Sequence, residues 1–427
     1  FNSPIGDTDG NPIGGPGFID PSQEDTVTTF ANPDFLPGIL PFDLTRGGRL
    51  FTFNGHTDIK QTAFYVQDLI TLRNLSLNLG LRYDNYHGII SDDQFQPRVG
   101  VSYLIKPTNT VLRGSYIRTF ETPYNENLIF SSISGANGFA DGSFGNATAQ
   151  PLRPGRRNQF NVGLQQGFGK LVLFDVDYFW KYTKNAYDFN VILNTPIAFP
   201  IAWDRSKIDG VSFRVKLTDY KGLSAFFVAG HTRSRFFPPE TGGLFFNSDL
   251  PAGVFRIDHD QAFQQTTQIQ YQFTQFDSLK PYKPYAIFTW RYDSGQVSGA
   301  VPDFATALTF NADQQAQIGL FCGNVLATST SPIAGCDLSN RGALHVRIPA
   351  DGTANDDLNP PRIAPRHLFD VSIGSDNLFN TEKTRVTLRL SGLNLTNRVA
   401  LYNFLSTFSG THFVSPRTFQ AQIGLTF

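Results

Sequence analysis

The stretch Asn74–Tyr86, NLSLNLGLRYDNY, decides how this chain is read. Leu75, Leu77, Leu79, Leu81 and Tyr83 fall on one parity, and Ser76, Asn78, Gly80, Arg82 and Asp84 fall on the other. Neighbouring side chains of a β-strand point to opposite faces, so this is a strand with one apolar and one wet face. In a soluble sandwich the leucines would enter a protein core. In a membrane barrel they would meet hydrocarbon, and the two readings imply unrelated functions.

The same alternation recurs to the end of the chain, and no segment longer than a turn or two carries a helical apolar stripe. In Leu171–Lys181, Val172, Phe174, Val176, Tyr178 and Trp180 oppose Asp175, Asp177 and Lys181. In Val211–Leu217 four apolar residues oppose Ser212, Arg214 and Lys216, and in Val386–Leu390 three oppose Thr387 and Arg389. The pattern predicts thirteen strands, near 58–72, 75–86, 96–105, 110–121, 157–167, 171–183, 207–218, 222–235, 260–275, 281–293, 365–376, 384–396 and 414–427. Thirteen strands of this length exceed what soluble β-folds ordinarily use.

The connections point the same way. Tight links at 73–74, 106–109, 169–170, 219–221 and 276–280 alternate with longer ones at 87–95, 122–156, 184–206, 236–259, 294–364 and 397–413. Turns at one rim and elaborate loops at the other are the habit of outer-membrane barrels. Lipid offers the backbone no hydrogen bonds, so a spanning sheet has to close on itself. Its polar parity then faces the lumen, which assigns Arg82, Asp84, Arg98, Arg113, Asp175, Asp177, Lys181, Arg214, Lys216 and Arg389 to a wet interior. Each of these charges either guides a polar ligand or pairs across strands as any wet interior requires. Tyr83 and Tyr86, Tyr178 and Trp180, Trp290 and Tyr292, and Tyr402 and Phe404 are candidates for an interfacial aromatic girdle.

Composition narrows the function. The 427 residues carry 35 Lys and Arg against 36 Asp and Glu, a balance that argues against a nucleic-acid partner. No run of about 18 apolar residues is present, which excludes a spanning helix but not spanning strands. Met is absent, so the sequence reads as a mature or internal fragment. The odd strand count agrees, because bacterial single-chain barrels have even numbers. On this reading residues 1–55 are an extracellular loop and 56–427 the C-terminal part of a barrel, with no plug domain. Cys322 and Cys336 flank a Gly, Ser and Thr-rich segment. In an exported chain two cysteines this close form a local disulfide as a rule, worth roughly 3 kcal/mol for a loop of about 15 residues, with free thiols as the alternative.

Several phrases, taken in order, resemble the C-terminal barrel of TonB-dependent receptors: AFYVQDLITL (63–72), LSLNLGLRYD (75–84), QPRVGVSY (96–103), LRGSYIRTFETPYNENL (112–128), NQFNVGLQQ (158–166), LSGLNLTNRVALYNF (390–404) and PRTFQAQIGLTF (416–427). The last ends on Phe427, which resembles the outer-membrane sorting signal. The loop-rich style is most similar to the Oar-like group, which carries a carboxypeptidase-regulatory-like domain. The resemblance implies a 22-stranded transmembrane antiparallel β-barrel in the Gram-negative outer membrane, placed there by the barrel assembly machinery and surrounded by outer-membrane lipid. It also implies a plug domain as partner, an inner-membrane TonB energy complex, and import of a bulky glycan, peptide or metal chelate. The rivals are a non-transporting scaffold, adhesin or envelope-assembly subunit, and a passive porin.

Catalytic chemistry is not legible. The chain has no GxSxG, P-loop or CxxC, and its seven histidines show no metal-ligand spacing. The reading is therefore of a non-enzyme with no cofactor and no resident metal. Asp258-His259-Asp260 comes nearest to a cation site and is expected to be a solvated loop edge. Recognition is expected in the long connections 122–156, 184–206, 236–259 and 294–364, whose ligand cannot be named from sequence.

Overall fold

The structure, a computed structural model, describes residues 5–6, 30–31, 44, 47–50, 58–124, 148–191, 198–245, 253–381, 383–406 and 410–426. One antiparallel sheet dominates. Its strands are β1 Lys60–Leu72, β2 Leu75–His87, β3 Ser91–Ile105, β4 Thr110–Glu121, β5 Gly155–Phe168, β6 Val172–Val191, β7 Ala198–Tyr220, β8 Leu223–Phe245, β9 Phe263–Gln272, β10 Pro284–Asp293, β11 Arg366–Ser375, β12 Arg385–Leu393 and β13 Thr418–Thr426. Each pairs with the next in chain order, and β1 and β13 are the two edges of the path. Two short strands, Thr148–Gln150 and Phe255–Arg256, pair with β8 beside it.

The register carries the parity of Asn74–Tyr86 across the sheet. Leu79 sits opposite Val99, Val99 opposite Tyr116, Tyr116 opposite Phe160, and Phe160 opposite Trp180. Lower on the same face, Leu112, Leu164, Val176, Phe213 and Ala229 form a continuous row. The row continues in kind through Ile269, Phe288, Val371, Leu390 and Ile423 on β9 to β13. These side chains are not covered by protein: Val66 is 68 % exposed, Leu81 44 % and Ile423 71 %. At about 25 cal/mol per Å² of apolar surface, a band this size left in water would be a large penalty, and lipid removes it. Asp68, opposite Leu79 on the edge strand, is a carboxylate inside the band, and nothing in the structure explains it.

Three strands outrun a membrane. β7 and β8 have 23 residues each, about 75 Å at roughly 3.3 Å per residue, against an apolar band about 25 Å tall. On the parity of Val211–Leu217, β7 turns polar at Asp209, Lys207 and Arg205, and Trp203 and Ile201 beyond them are buried in protein, so its first half stands beyond the lipid. Here the structure corrects the expected loops. Most of 184–206 and much of 236–259 is paired strand, and the connection expected at 87–95 shrinks to 88–90. The ladder persists because Ala198–Trp203 pairs residue by residue with Ala186–Val191. Alternation lapses because neither face of that ribbon meets lipid. Pro238 and Pro239 are accommodated by a register shift, where β7 partners jump from Phe237 to Glu240.

Loop lengths are also less cleanly sorted than expected. At the tight-turn end, 273–283 and 376–384 are longer connections than tight turns. Residues 1–55 lie mostly outside the described residues; within them Ile5–Gly6 pairs with Phe30–Ala31. Phe427 lies outside the described residues.

Candidate functional site

All ten charges expected on the wet parity share one face of the sheet, opposite the apolar band. Some are brought together. Arg113 Nη2 donates to Asp175 at 2.9 Å and to Asp177 at 2.6 Å, reaching across β5. Arg82 Nε bonds Asp84 at 2.6 Å, and Gln96, whose side chain also accepts from the Phe120 amide at 3.0 Å, bonds the same carboxylate. Arg389 reaches Ser372 at 3.2 Å, and Lys181 lies 5.4 Å from the Phe179 ring centre. Arg98, Arg214 and Lys216 form no ion pair among the described residues. The girdle candidates divide. Tyr83, Tyr178, Trp180, Trp290 and Tyr292 lie on the apolar face, whereas Tyr86 is buried at 3 % exposure on the polar face. Phe404 is core, and Tyr402 lies beneath the Arg366 guanidinium at 4.2 Å.

The long connection 294–364 is a folded block and not an open loop. Val301, Phe304, Ile318, Leu320, Val346 and Ile363 form its core, and Leu401 and Phe404 of the next connection pack into it. Two short helices shape it. In α1, Phe304–Thr309, Asp303 caps the Thr306 amide at 2.7 Å. In α2, Ala312–Ile318, Asn311 and Gln314 make a capping box, and the chain leaves through Gly319 at φ 66°. Gln315, almost fully buried, donates to the carbonyls of Leu308, Phe310 and Ile333 and accepts from the Ile333 amide at 2.7 Å. Cys322 and Cys336 are joined in a disulfide.

Buried charges fasten this block to the sheet. Asp260, whose side chain has no exposure, accepts from Arg362 at 2.7 Å, Arg256 at 3.2 Å and the Ser234 amide of β8 at 2.7 Å. Asp357 accepts from Arg256 at 2.9 Å and from Arg233 of β8 at 3.1 Å. Burial pushes the Asp357 carboxyl up, but the two guanidiniums outweigh it and hold the group below the usual carboxylate range. Arg366 ties Asp293 at 3.0 Å to the Leu401 carbonyl at 2.8 Å. The expected solvated edge at Asp258-His259-Asp260 is thereby corrected. Asp260 is committed to two arginines, and His259 pairs with Asp258 at 2.6 Å, which raises the imidazole. Among the described residues no group of His, Cys, Asp and Glu is arranged to hold a metal ion.

Two further carboxyls stand at the outer ends of the long strands. Trp203 Nε1 donates to Asp188 at 3.1 Å, and Trp203 sits opposite Glu240 on the next strand. Burial pushes Asp188 up to about 6 and, with Asp188 nearby, Glu240 up to about 7. Glu240 Oε1 is buried and finds no hydrogen-bond partner among the described residues. Sequence reasoning missed this pair and the Asp260 cluster alike. Arg256 is four residues from Asp260, but Arg362 is 102 residues away and Trp203 stands on the strand after Asp188, so local spacing does not reveal either cluster.

Compared with known families, residues 8–395 match the family model described as TonB dependent receptor-like, beta-barrel. The chain belongs to that family. Its members are Gram-negative outer-membrane proteins, and the receptor's apolar band is placed in that membrane. Solved structures agree in fold. The FrpB iron transporter of Neisseria meningitidis (F3-3 variant) aligns with a TM-score of 0.52 at 15 % identity, over 86 % of this chain and 45 % of its own. The outer membrane transporter YddB of Escherichia coli aligns with a TM-score of 0.51 at 13 % identity, over 86 % and 45 %. The copper transporter OprC gives 0.53 at 11 %, over 86 % and 48 %. The receptor chain thus spans about half the length of these structures. No curated protein matches the sequence. These matches do not distinguish the Oar-like group within the family.

Proposed function

We propose that the receptor takes part in energised import of a bulky nutrient across the outer membrane, without making or breaking a bond in it. The observation that carries this reading is the block 294–364, locked to β8 through Asp260 and Asp357. A rigid strand scaffold presenting a pre-ordered loop surface is the arrangement that captures a ligand at low entropic cost. The ligand is a glycan, peptide or metal chelate, held first by the outer connections. A plug domain would then be remodelled by the inner-membrane TonB energy complex, and the ligand would pass along the polar face. The neighbours named as iron and copper transporters favour the chelate arm, although at 11–15 % identity they speak for fold.

Uptake by cells that carry or lack the full-length receptor tests this. Panels of labelled glycans, peptides and chelates should yield one class whose uptake needs both the receptor and the energy complex. In planar bilayers the intact receptor should be nearly silent. A correctly folded receptor that binds no panel member, or that conducts openly, overturns the reading in favour of a scaffold or a porin respectively.

A further inference from the structure

Beyond the lipid, one face of β6 to β8 gathers Asp188, Trp203 and Glu240. Trp203 is the cross-strand partner of Ala186 on β6 and of Glu240 on β8, and Asp188 follows Ala186 by two residues on the same face. Ala186 is too small to stand between them, and Trp203 Nε1 donates to Asp188 at 3.1 Å. The indole therefore has a carboxyl on each neighbouring strand. Phe255 closes another side, its ring edge-on to the indole with centres 4.8 Å apart. Asp258 and His259, just after Phe255, bring their charges within reach of Asp188.

The two carboxyls are unequally served. Asp188 accepts from the indole and from the Phe189 amide at 2.9 Å. Glu240 is 7 % exposed, and its Oε1 has no hydrogen-bond partner among the described residues. A buried acceptor without a donor is unfavourable, and an ionised one more so. The charges that bear on the pair are each other, Asp258 and His259, and the imidazole is already bonded to Asp258 at 2.6 Å. The nearby arginines are engaged elsewhere: Arg235 meets Asp209, and Arg256 meets Asp260 and Asp357. The short strand Thr148–Gln150, paired with β8 just past Glu240, carries no charge. Asp258 and His259 are partly exposed, so the corner meets solvent on their side. Among the described residues it offers acceptors and negative charge, and a partner that supplies donors and positive charge complements it.

We infer that this corner binds an alkylammonium group, held between Asp188 and Glu240 beside Trp203. An ammonium has three N–H donors and no acceptor, so it meets carboxylate oxygens without leaving a group mismatched, and each bond is charge-assisted. Among the described residues no three ligating groups converge as a metal ion requires, so an organic cation is the better fit. A lysine side chain of a peptide and a free polyamine carry the same group. The inference deepens the import reading by naming what the outer connections recognise, and it rests on those connections being the capture surface.

The pH dependence has a definite sign. Burial holds Glu240 up to about 7 and Asp188 up to about 6, so both lose their charge toward pH 5 while the ammonium keeps its own. Binding therefore tightens as pH rises from 5 to 8. His259, raised by Asp258, sheds its positive charge as pH rises and acts in the same direction.

The test titrates full-length receptor in detergent by calorimetry with two pairs of probes. One pair is a blocked lysine tripeptide and the same peptide with norleucine; the other is spermidine and its fully acetylated form. At pH 8 at least one charged probe should bind wild type at least tenfold more tightly than its neutral counterpart, and the pair that does so identifies the source. At pH 5 that preference should fall to within twofold. E240Q, which keeps the shape and removes the charge, should lose the preference at pH 8, whereas D277N at the tight-turn end should keep it. Folding is checked by heat-modifiable gel mobility, and D188N takes the place of E240Q should the latter fail to fold. No preference for either charged probe, a preference equal at pH 5 and pH 8, or one retained within twofold by the folded variant would each overturn the inference. Uptake by cells is a separate readout: a receptor that shows the preference and imports nothing counts against import alone.

Discussion

Replacing Glu240 with Gln should flatten the pH dependence of the outer strand ends. Glu240 is 7 % exposed, one of its oxygens lacks a partner, and burial with Asp188 nearby raises it from 4.5 to about 7. When the ribbon opens, the group returns to its ordinary value and releases a proton that the closed ribbon would keep. Between about pH 4.5 and 7 the closed state therefore binds more protons, so its stability falls as pH rises and levels off above 7. A shift of this size at about 1.4 kcal/mol per unit amounts to about 3 kcal/mol. Gln cannot ionise, and any cost of burying its amide is the same at both pH values and cancels. Asp188, held up to about 6, leaves a smaller slope of the same sign in both proteins. Hydrogen exchange of peptides covering 198–205 and 236–243, corrected for intrinsic rates, measures the opening free energy at pH 4.5 and pH 8. Wild type should lose about 3 kcal/mol more than E240Q over that interval. Equal losses would refute the argument that burial raises this carboxyl.

Two other perturbations address the outer block. Asp260→Ala leaves Arg256 and Arg362 buried with one carboxylate fewer, which should destabilise the block locally by about 3–5 kcal/mol; limited proteolysis should then cut within 294–364 while the sheet keeps its folded gel mobility. Replacing Cys322 and Cys336 by Ser opens a loop with a sequence separation of 14, at a cost of roughly 3 kcal/mol to the same block. Hydrogen exchange should rise in 320–343 and stay unchanged in 75–105, and a uniform change would contradict the block's independence.

The period of two made the sheet legible in the sequence. Wherever one face meets lipid, apolar and polar residues must alternate, and so Leu75–Tyr83 and Val211–Leu217 marked both a strand and its faces. That signal ends where lipid ends. The outer ends of β7 and β8 read AFPIAW and FFPPETGG, stretches without alternation whose pairing is held by backbone hydrogen bonds and by Trp203 and Ile201. The block 294–364 escaped for a related reason. Helices of six and seven residues are too short to show a period, and its order depends on Gln315 bonding Ile333 and on Asp260 bonding Arg362, pairs 18 and 102 residues apart. Aromatic composition misled in part, because Tyr86 and Phe404 belong to protein interiors and differ from Tyr178 only in what surrounds them.

The central claim is that hydrocarbon covers the leucine-bearing face. Single cysteines at Leu79, Val99, Val176 and Phe213, and at Asn78, Arg98, Asp177 and Arg214, can carry nitroxide labels in receptor reconstituted in bilayers, since the native cysteines are both in the disulfide. Collision with dissolved oxygen should dominate at the first four positions and collision with a water-soluble nickel chelate at the second four. Labels at Leu79 and Val176 shielded from both reagents, as in a protein core, would contradict the account.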